Sequence, residues 1–73
     1  MILQFTDLFE VLNDGRVTPI RNIRLGPATM PAFSAKIPPA SVSFGGVKIS
    51  DFMYKNLDVE VVNDIYLIKG YYN

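Results

Sequence analysis

The sequence predicts an α+β fold, in which a short N-terminal helix packs on a small, mostly antiparallel sheet of three to five strands. Three observations lead to this prediction: a capped segment of helical period near the N-terminus, β-branched segments in the centre, and two alternating segments around a turn at the C-terminus. The length of 73 residues suits one domain. We therefore expect a single domain over residues 1–73.

The helix is predicted over Phe5 to Gly15. Thr6 can cap its N-terminus, Asp7 suits the positive first turn, and Gly15 can take the left-handed position that closes a helix. The apolar positions recur at helical spacing: Leu8, Val11 and Leu12. Because two turns of helix are too short to be stable alone, this segment is expected to dock on the sheet.

A strand is predicted in the middle of the chain, over Arg16 to Leu25, where β-branched side chains are frequent. Pro19 has no N–H to donate, so the strand starts late, bulges there or lies on an edge. Further along, Gly45-Gly46 is either the two-residue turn of a hairpin or a bulge in one longer strand. Ser50 can cap a single helical turn after it.

The strongest sheet signal lies at the C-terminus, where Asn63-Asp64 is predicted as a two-residue turn. In that register Val62 faces Ile65. Asp58 faces Lys69, and this opposite-charge pair supports the register. Four side chains then form the apolar face under the helix: Val59, Val61, Tyr66 and Ile68.

A long Pro-rich loop is predicted over residues 26–40, which hold four of the five prolines and apolar side chains as well. Loops of this length are often functional. Three interpretations are open for Met30, Phe33 and Ile37. These side chains can fold back over a sheet face, form a contact between copies of the chain, or form a binding arm stiffened by proline.

The absence of histidine and cysteine excludes the usual zinc ligands, the commonest general base and a thiol nucleophile. No phosphate-loop, dinucleotide-binding or calcium-loop pattern occurs either. We therefore expect no enzymatic activity, no cofactor and no metal. No apolar run approaches the roughly 20 residues that span a bilayer, and no secretory signal is recognised. A cytoplasmic protein without membrane contact is expected.

The composition favours recognition over catalysis. Hydrophobic residues make up 49% of the chain, including five Phe and four Tyr, and a domain of this size has too little interior for all of them. Apolar surface is therefore expected in a contact between copies of the chain or with a partner. The seven basic and seven acidic residues cancel overall, so strong non-specific binding to nucleic acid is not expected.

The candidate ligand site consists of Arg21, Arg24 and Lys36 for charge and Phe33 for stacking. Guanidinium groups suit bidentate capture of a carboxylate or phosphate. The alternative is that each cation pairs with a surface acid or protects an edge strand. The candidate interface residues are Met30, Ile37, Tyr71 and Tyr72.

The order of three segments, "FTDLFEVLNDG", "RVTPIRNI" and "GGVKISDFMYKNLDVEVVNDIYLIKGYY", resembles the small accessory proteins of phages and prophages of Gram-positive bacteria. In those proteins a short helix precedes a hairpin, a brief S-D-x-x-x-x-x-L turn follows, and a C-terminal hairpin ends the chain. The Pro-rich insertion over residues 27–39 departs from that pattern. The resemblance implies proteins that act by binding, either blocking a host enzyme or defence complex or sequestering a nucleotide signal.

The hypothesis from the sequence is a non-enzymatic, self-associating binding protein of a phage or mobile element that acts in the host cytoplasm. It would block a host factor or defence system, or sequester a small anionic ligand such as a nucleotide signal. One alternative is a structural protein of a virion or other assembly, built by packing of its copies. The other alternative is an accessory protein that binds nucleic acid.

Overall fold

The computed structural model describes all of residues 1–73, which form nine strands, one four-residue helix and one 3-10 turn. The helix α1 spans Phe5–Leu8 and the 3-10 turn spans Ile49–Asp51. The strands are β1 Ile2–Gln4, β2 Phe9–Val11, β3 Val17–Pro19, β4 Ile23–Leu25, β5 Ala28–Met30, β6 Ser43–Phe44, β7 Val47–Lys48, β8 Asn56–Val62 and β9 Ile65–Tyr72. The predicted α+β class is confirmed in this broad sense, with β structure predominating.

The main sheet has five strands in the order β1-β8-β9-β4-β5. Its neighbours are antiparallel except for β4 and β9, which run parallel. Strands β2 and β3 form a separate antiparallel pair, and β6 and β7 form a small hairpin. A mostly antiparallel sheet of five strands is thus confirmed.

The helix is much shorter than the predicted span, which is wrong beyond Leu8. Its N-cap is Gln4 rather than Thr6, and the Asp7 carboxylate accepts a hydrogen bond from the Gln4 backbone N–H at 2.9 Å. Phe9 already has extended backbone and pairs with Pro19 in the β2–β3 ladder. Leu8 and Phe9 are both buried, and two adjacent buried residues suit a change from helix to strand.

Gly15 lies in the turn that joins β2 to β3 rather than at the end of a helix. Its φ of +88° is left-handed, and its N–H donates to the Leu12 carbonyl at 3.0 Å. The left-handed conformation predicted for this glycine therefore occurs, but in a tight turn between strands.

The predicted central strand over Arg16 to Leu25 is divided into β3 and β4, which belong to different sheets. Pro19 is the last residue of β3, where its missing N–H removes no hydrogen bond from the ladder. Its carbonyl accepts a hydrogen bond from the Phe33 N–H at 2.7 Å. The Ile20 N–H donates to the Leu8 carbonyl at 2.9 Å, which places the end of β3 beside α1.

Residues 26–40 do not form one uninterrupted loop. Strand β5 lies within them, and Ile37 exchanges two backbone hydrogen bonds with Val17 at 2.9 and 2.7 Å. Met30 and Ile37 are buried in the core, whereas Phe33 is exposed. The segment therefore covers the core with two of its apolar side chains and holds the third outside.

Both predicted two-residue turns join hairpin strands. Phe44 faces Val47 across Gly45-Gly46, whose φ values are 60° and 85°, so the bulge alternative is wrong. Asn63 and Asp64 are also left-handed, with φ values of 51° and 64°. The predicted register is confirmed in four pairs: Val62 with Ile65, Val61 with Tyr66, Glu60 with Leu67 and Val59 with Ile68.

The predicted pair of Asp58 with Lys69 is wrong, because β9 has a bulge at Lys69. Asp58 faces Gly70 instead, and the Lys69 ammonium lies 3.0 Å from the Glu60 carboxylate. This contact raises the pKa of Lys69, chiefly through the hydrogen bond to Glu60.

The core lies between one face of the main sheet and the layer formed by α1, β2, β3 and the 3-10 turn. It consists of twelve buried apolar residues: Phe5, Leu8, Phe9, Val17, Ile23, Leu25, Met30, Ile37, Ile49, Phe52, Leu57 and Val59. Of the apolar face predicted in the C-terminal hairpin, Val59 is buried, Tyr66 and Ile68 are half-buried, and Val61 is exposed.

The helical turn predicted to start at Ser50 is the 3-10 turn, and its N-cap is Lys48. The Asp51 carboxylate accepts from the Lys48 N–H at 3.0 Å. No helix of the structure has the length and apolar character needed to cross a membrane.

Candidate functional site

The four predicted ligand-binding residues are all exposed, but they do not line a common cavity. Arg24 lines a shallow hollow with Gly26, Leu67 and Ile68. None of the other three predicted residues lines any hollow of the structure.

The predicted ligand-binding residues do not share a cavity, because the predicted strand over Arg16 to Leu25 is divided into β3 and β4. Arg21 lies between β3 and β4, whereas Arg24 lies on β4 and points away from the core, because its neighbours Ile23 and Leu25 point into it. None of the cations Arg21, Arg24 and Lys36 forms an ion pair. They are exposed charges without a carboxylate partner, and only Arg24 borders a hollow.

The candidate interface residues divide into two groups. Met30 and Ile37 are only 7% and 5% exposed, so they are part of the chain's own core and we leave them out of any binding surface. Tyr71 and Tyr72 are 42% and 48% exposed and lie on opposite faces of β9. The Tyr71 ring packs at 6.3 Å from the Phe52 ring, with the Lys55 ammonium 4.8 Å from its centroid.

The largest hollow has a volume of 410 Å³ and lies beside α1 and β2. We call it the apolar groove, and its six lining residues are Thr6, Phe9, Glu10, Val11, Ile20 and Tyr54. Four of these six residues are hydrophobic. An apolar hollow with few polar groups is typical of a recognition site.

Local packing fixes the floor and sides of the apolar groove. The buried Phe9 ring stacks on the Phe5 ring at 4.9 Å, with only 12° between their planes. Val11 is held by its pairing with Val17, and Ile20 by its backbone bond to Leu8. Phe9 and Val11 lie on the paired strand β2, and Ile20 directly follows β3, so the groove is largely preformed.

Tyr54 forms the outer wall of the apolar groove and has an unusual backbone. It has a φ of 60°, although it is neither glycine nor asparagine, and it is 69% exposed. A bulky residue in the left-handed region is a true outlier, with a cost of about 1–2 kcal/mol. The neighbouring residues impose this conformation, since Lys55 donates to the Phe52 carbonyl at 3.1 Å and accepts from the Phe5 N–H at 3.2 Å.

Tyr54 lines two hollows on the surface. One is the apolar groove, and the other is a smaller hollow of 230 Å³ that Tyr54 shares with Gln4, Phe5, Thr6 and Asn56. Tyr54 thus borders two spaces that another molecule can fill.

Glu10 is the one charged residue that lines the apolar groove. It is exposed and has no ion pair or side-chain hydrogen bond. The other acids nearby have internal partners: Asp7 accepts from Gln4, and Asp14 binds the Arg16 guanidinium at 2.7 Å. Glu10 is therefore the negative charge that remains available to a ligand at this site.

This site is not predicted from the sequence. The left-handed backbone of Tyr54 could not be predicted from the sequence, because such positions are usually occupied by glycine or asparagine. Phe9, Val11 and Ile20 were assigned to a helix and a strand, and their convergence depends on non-local pairing. No cluster of three or more acidic side chains suitable for a metal ion is present.

The chain matches no family model, no curated protein and no solved structure. The candidate site therefore rests on the geometry of this chain.

Proposed function

We propose that this chain is a non-catalytic binding protein that recognises another protein through Tyr54 and the apolar groove. The observation that carries the proposal is an aromatic side chain, 69% exposed, that is held in left-handed backbone above an apolar hollow. Strained residues persist only where the surrounding structure imposes them, and they concentrate at ligand-binding positions.

The energetics of the Tyr54 position support recognition. Glycine or asparagine would meet the backbone requirement at lower cost. An aromatic side chain can bury about 150–250 Å² on binding, and tyrosine is enriched among the residues that dominate protein interfaces. Because hydrogen bonds fix the residues on both sides of Tyr54, little conformational entropy remains to be lost when a partner binds.

The chemistry of the groove favours a protein segment over a small anion. Its lining is mainly apolar, and its one charged residue, Glu10, is negative and would repel an anionic ligand. The predicted cations Arg21, Arg24 and Lys36 lie outside it. A host protein is therefore the partner we propose, in line with the resemblance to phage accessory proteins, and the chain would act by occupying it in the host cytoplasm.

Affinity capture from lysates of Gram-positive bacteria tests this proposal. Three forms of the chain are compared: the natural sequence, Tyr54→Asn, which suits the left-handed backbone, and Tyr72→Thr, which removes an exposed aromatic ring outside the groove. We expect one host protein to be captured by the natural chain and by Tyr72→Thr but not by Tyr54→Asn. Equal capture by all three forms would exclude the groove as the binding site.

A further inference from the structure

The second exposed aromatic residue in left-handed backbone is Phe33, which is 68% exposed with a φ of 59°. Its turn, residues 31–34, is fixed: the Phe33 N–H donates to the Pro19 carbonyl at 2.7 Å and the Ser34 N–H to the Pro31 carbonyl at 3.1 Å. Phenylalanine is among the residues most often buried. The fold therefore holds this ring in solvent by defined contacts.

Phe33 lies beside the apolar groove of its own chain rather than in it. Strand β3 stands between them, since Pro19 pairs with Phe9 on one side and bonds Phe33 on the other. The ring does not line the groove. The Phe33 ring therefore leaves the groove of its own chain open to a second molecule.

The charges beside the two features are complementary. Lys36 follows Phe33 by three residues, is exposed, and is the one charged residue between positions 25 and 47. Glu10 is the one charged residue that lines the groove. Neither has an ion-pair partner within the chain. An exposed ring with a base three residues away in the sequence thus matches an apolar hollow that is lined by one acid.

We propose that the apolar groove also binds a second copy of this chain, which inserts Phe33 between Tyr54 and Ile20 and brings Lys36 towards Glu10. A two-fold axis makes the two contacts equivalent and closes the assembly as a dimer. Two such inserted rings bury less area than a typical stable interface, so the dimer dissociates on dilution.

This inference goes beyond the proposed function and does not rest on it, although it uses the same groove. Its consequence is competition, because a groove filled by Phe33 of a second copy is closed to the host protein. Dilution of the chain, or a partner that binds more strongly, then displaces Phe33 of the second copy from the groove.

Sedimentation velocity over a dilution series of the full chain tests the dimer. Phe33→Asn keeps a residue that tolerates the left-handed backbone. Val62→Thr is the control, because Val62 is an exposed apolar residue that lines no hollow and is not among the candidate interface residues. We expect a concentration-dependent dimer, a dissociation constant at least about tenfold higher for Phe33→Asn, and no change for the control. Circular dichroism checks that each variant is folded.

Charge reversal gives a second, independent readout. Glu10→Lys and Lys36→Glu should each weaken the dimer, and the double variant should recover much of the affinity because the attraction is restored with opposite sign. The proposal is wrong if Phe33→Asn leaves the dissociation constant of the dimer unchanged. It is also wrong if the double variant dimerises no more tightly than the weaker of the two single variants.

The remaining outcome separates this inference from the proposed function. If the natural chain is a strict monomer at all concentrations, the second-copy proposal is wrong. A synthetic peptide of residues 30–37 is then titrated while the amide resonances of Phe9, Val11 and Ile20 are followed. Shifts of these resonances in a strict monomer would mean that the groove binds such an apolar, basic segment only when a foreign protein supplies it. Loss of lysate capture in Tyr54→Asn would still support the proposed function.

Discussion

The ring of Tyr54 meets the ring of Phe5 edge-on, with centroids 5.7 Å apart and planes inclined at 60°. Phe5 is buried at 1% exposure, whereas Tyr54 is 69% exposed. An edge-to-face pair contributes about 0.5–1.5 kcal/mol, and left-handed backbone at a non-glycine residue costs about 1–2 kcal/mol. The two effects offset each other, so the tyrosine adds little to the stability of the isolated chain.

Replacement of Tyr54 by glycine and by alanine should therefore give different stabilities. Both variants lose the contact with Phe5, but only glycine relieves the left-handed strain. We expect Tyr54→Gly to be about 1 kcal/mol more stable than Tyr54→Ala in urea unfolding. An alanine variant equal to or more stable than the glycine variant would show that this backbone is not left-handed in solution.

The two glycines of the β6–β7 turn should differ in their tolerance of a methyl group. Both are left-handed, but a Cβ on Gly45 would lie 3.0 Å from the Pro27 ring, whereas a Cβ on Gly46 would meet nothing within 4 Å. We expect Gly46→Ala to cost about 1 kcal/mol from backbone strain, and Gly45→Ala at least about 1 kcal/mol more from the clash. Equal losses in urea unfolding would mean that the hairpin does not pack on Pro27.

The turn between β8 and β9 should be improved by one substitution. Asp64 has a φ of 64° at the second position of this turn, where glycine is favoured after asparagine. Asp64→Gly should raise the free energy of unfolding by about 0.5–1 kcal/mol, and Asp64→Ala should give no such gain. Thermal unfolding followed by circular dichroism measures both, and a lower midpoint for the glycine variant would contradict the turn geometry.

The pKa of Asp14 lies below its usual value, first because the Arg16 backbone N–H donates to it at 3.0 Å and second because the Arg16 side chain does so at 2.7 Å. A lowered pKa stabilises the fold above the unfolded-state pKa, and this contribution is lost as the pH falls through the folded-state pKa.

The Arg16→Gln variant removes the guanidinium but keeps the backbone donor to Asp14. We expect an NMR titration to show a higher pKa for Asp14 that still lies below the usual value, since the larger cause remains. A full return to the usual value would assign the shift to the guanidinium alone. An unchanged pKa would mean that the ion pair has no effect in solution.

The register of the C-terminal hairpin was predictable because its causes are local. A two-residue turn and the period-2 alternation fix the four pairs from Val62 with Ile65 to Val59 with Ile68. The bulge at Lys69 has no counterpart in the local sequence pattern. The bulge shifts by one residue the alternation of β9 side chains between the two faces of the sheet. As a result, Tyr71 lies on the face that carries Phe52 rather than on the opposite face.

The N-terminal helix was overpredicted because the pattern of Leu8, Val11 and Leu12 fits a helix when it is considered alone. A helix of two turns has only a weak tendency to form, and the pairing of β2 with β3 replaces it with a ladder of backbone hydrogen bonds. The extended backbone of Phe9 marks this change. The groove could not be predicted for the same reason, since this pairing brings its residues together.

The claim that Tyr54 serves recognition is tested most directly by measuring unfolding and host-protein capture on one preparation of Tyr54→Gly. We expect a free energy of unfolding within about 1 kcal/mol of the natural chain, together with loss of the captured protein. A variant that loses more than about 2 kcal/mol of stability and still captures the same protein would contradict it, because the ring would then be structural.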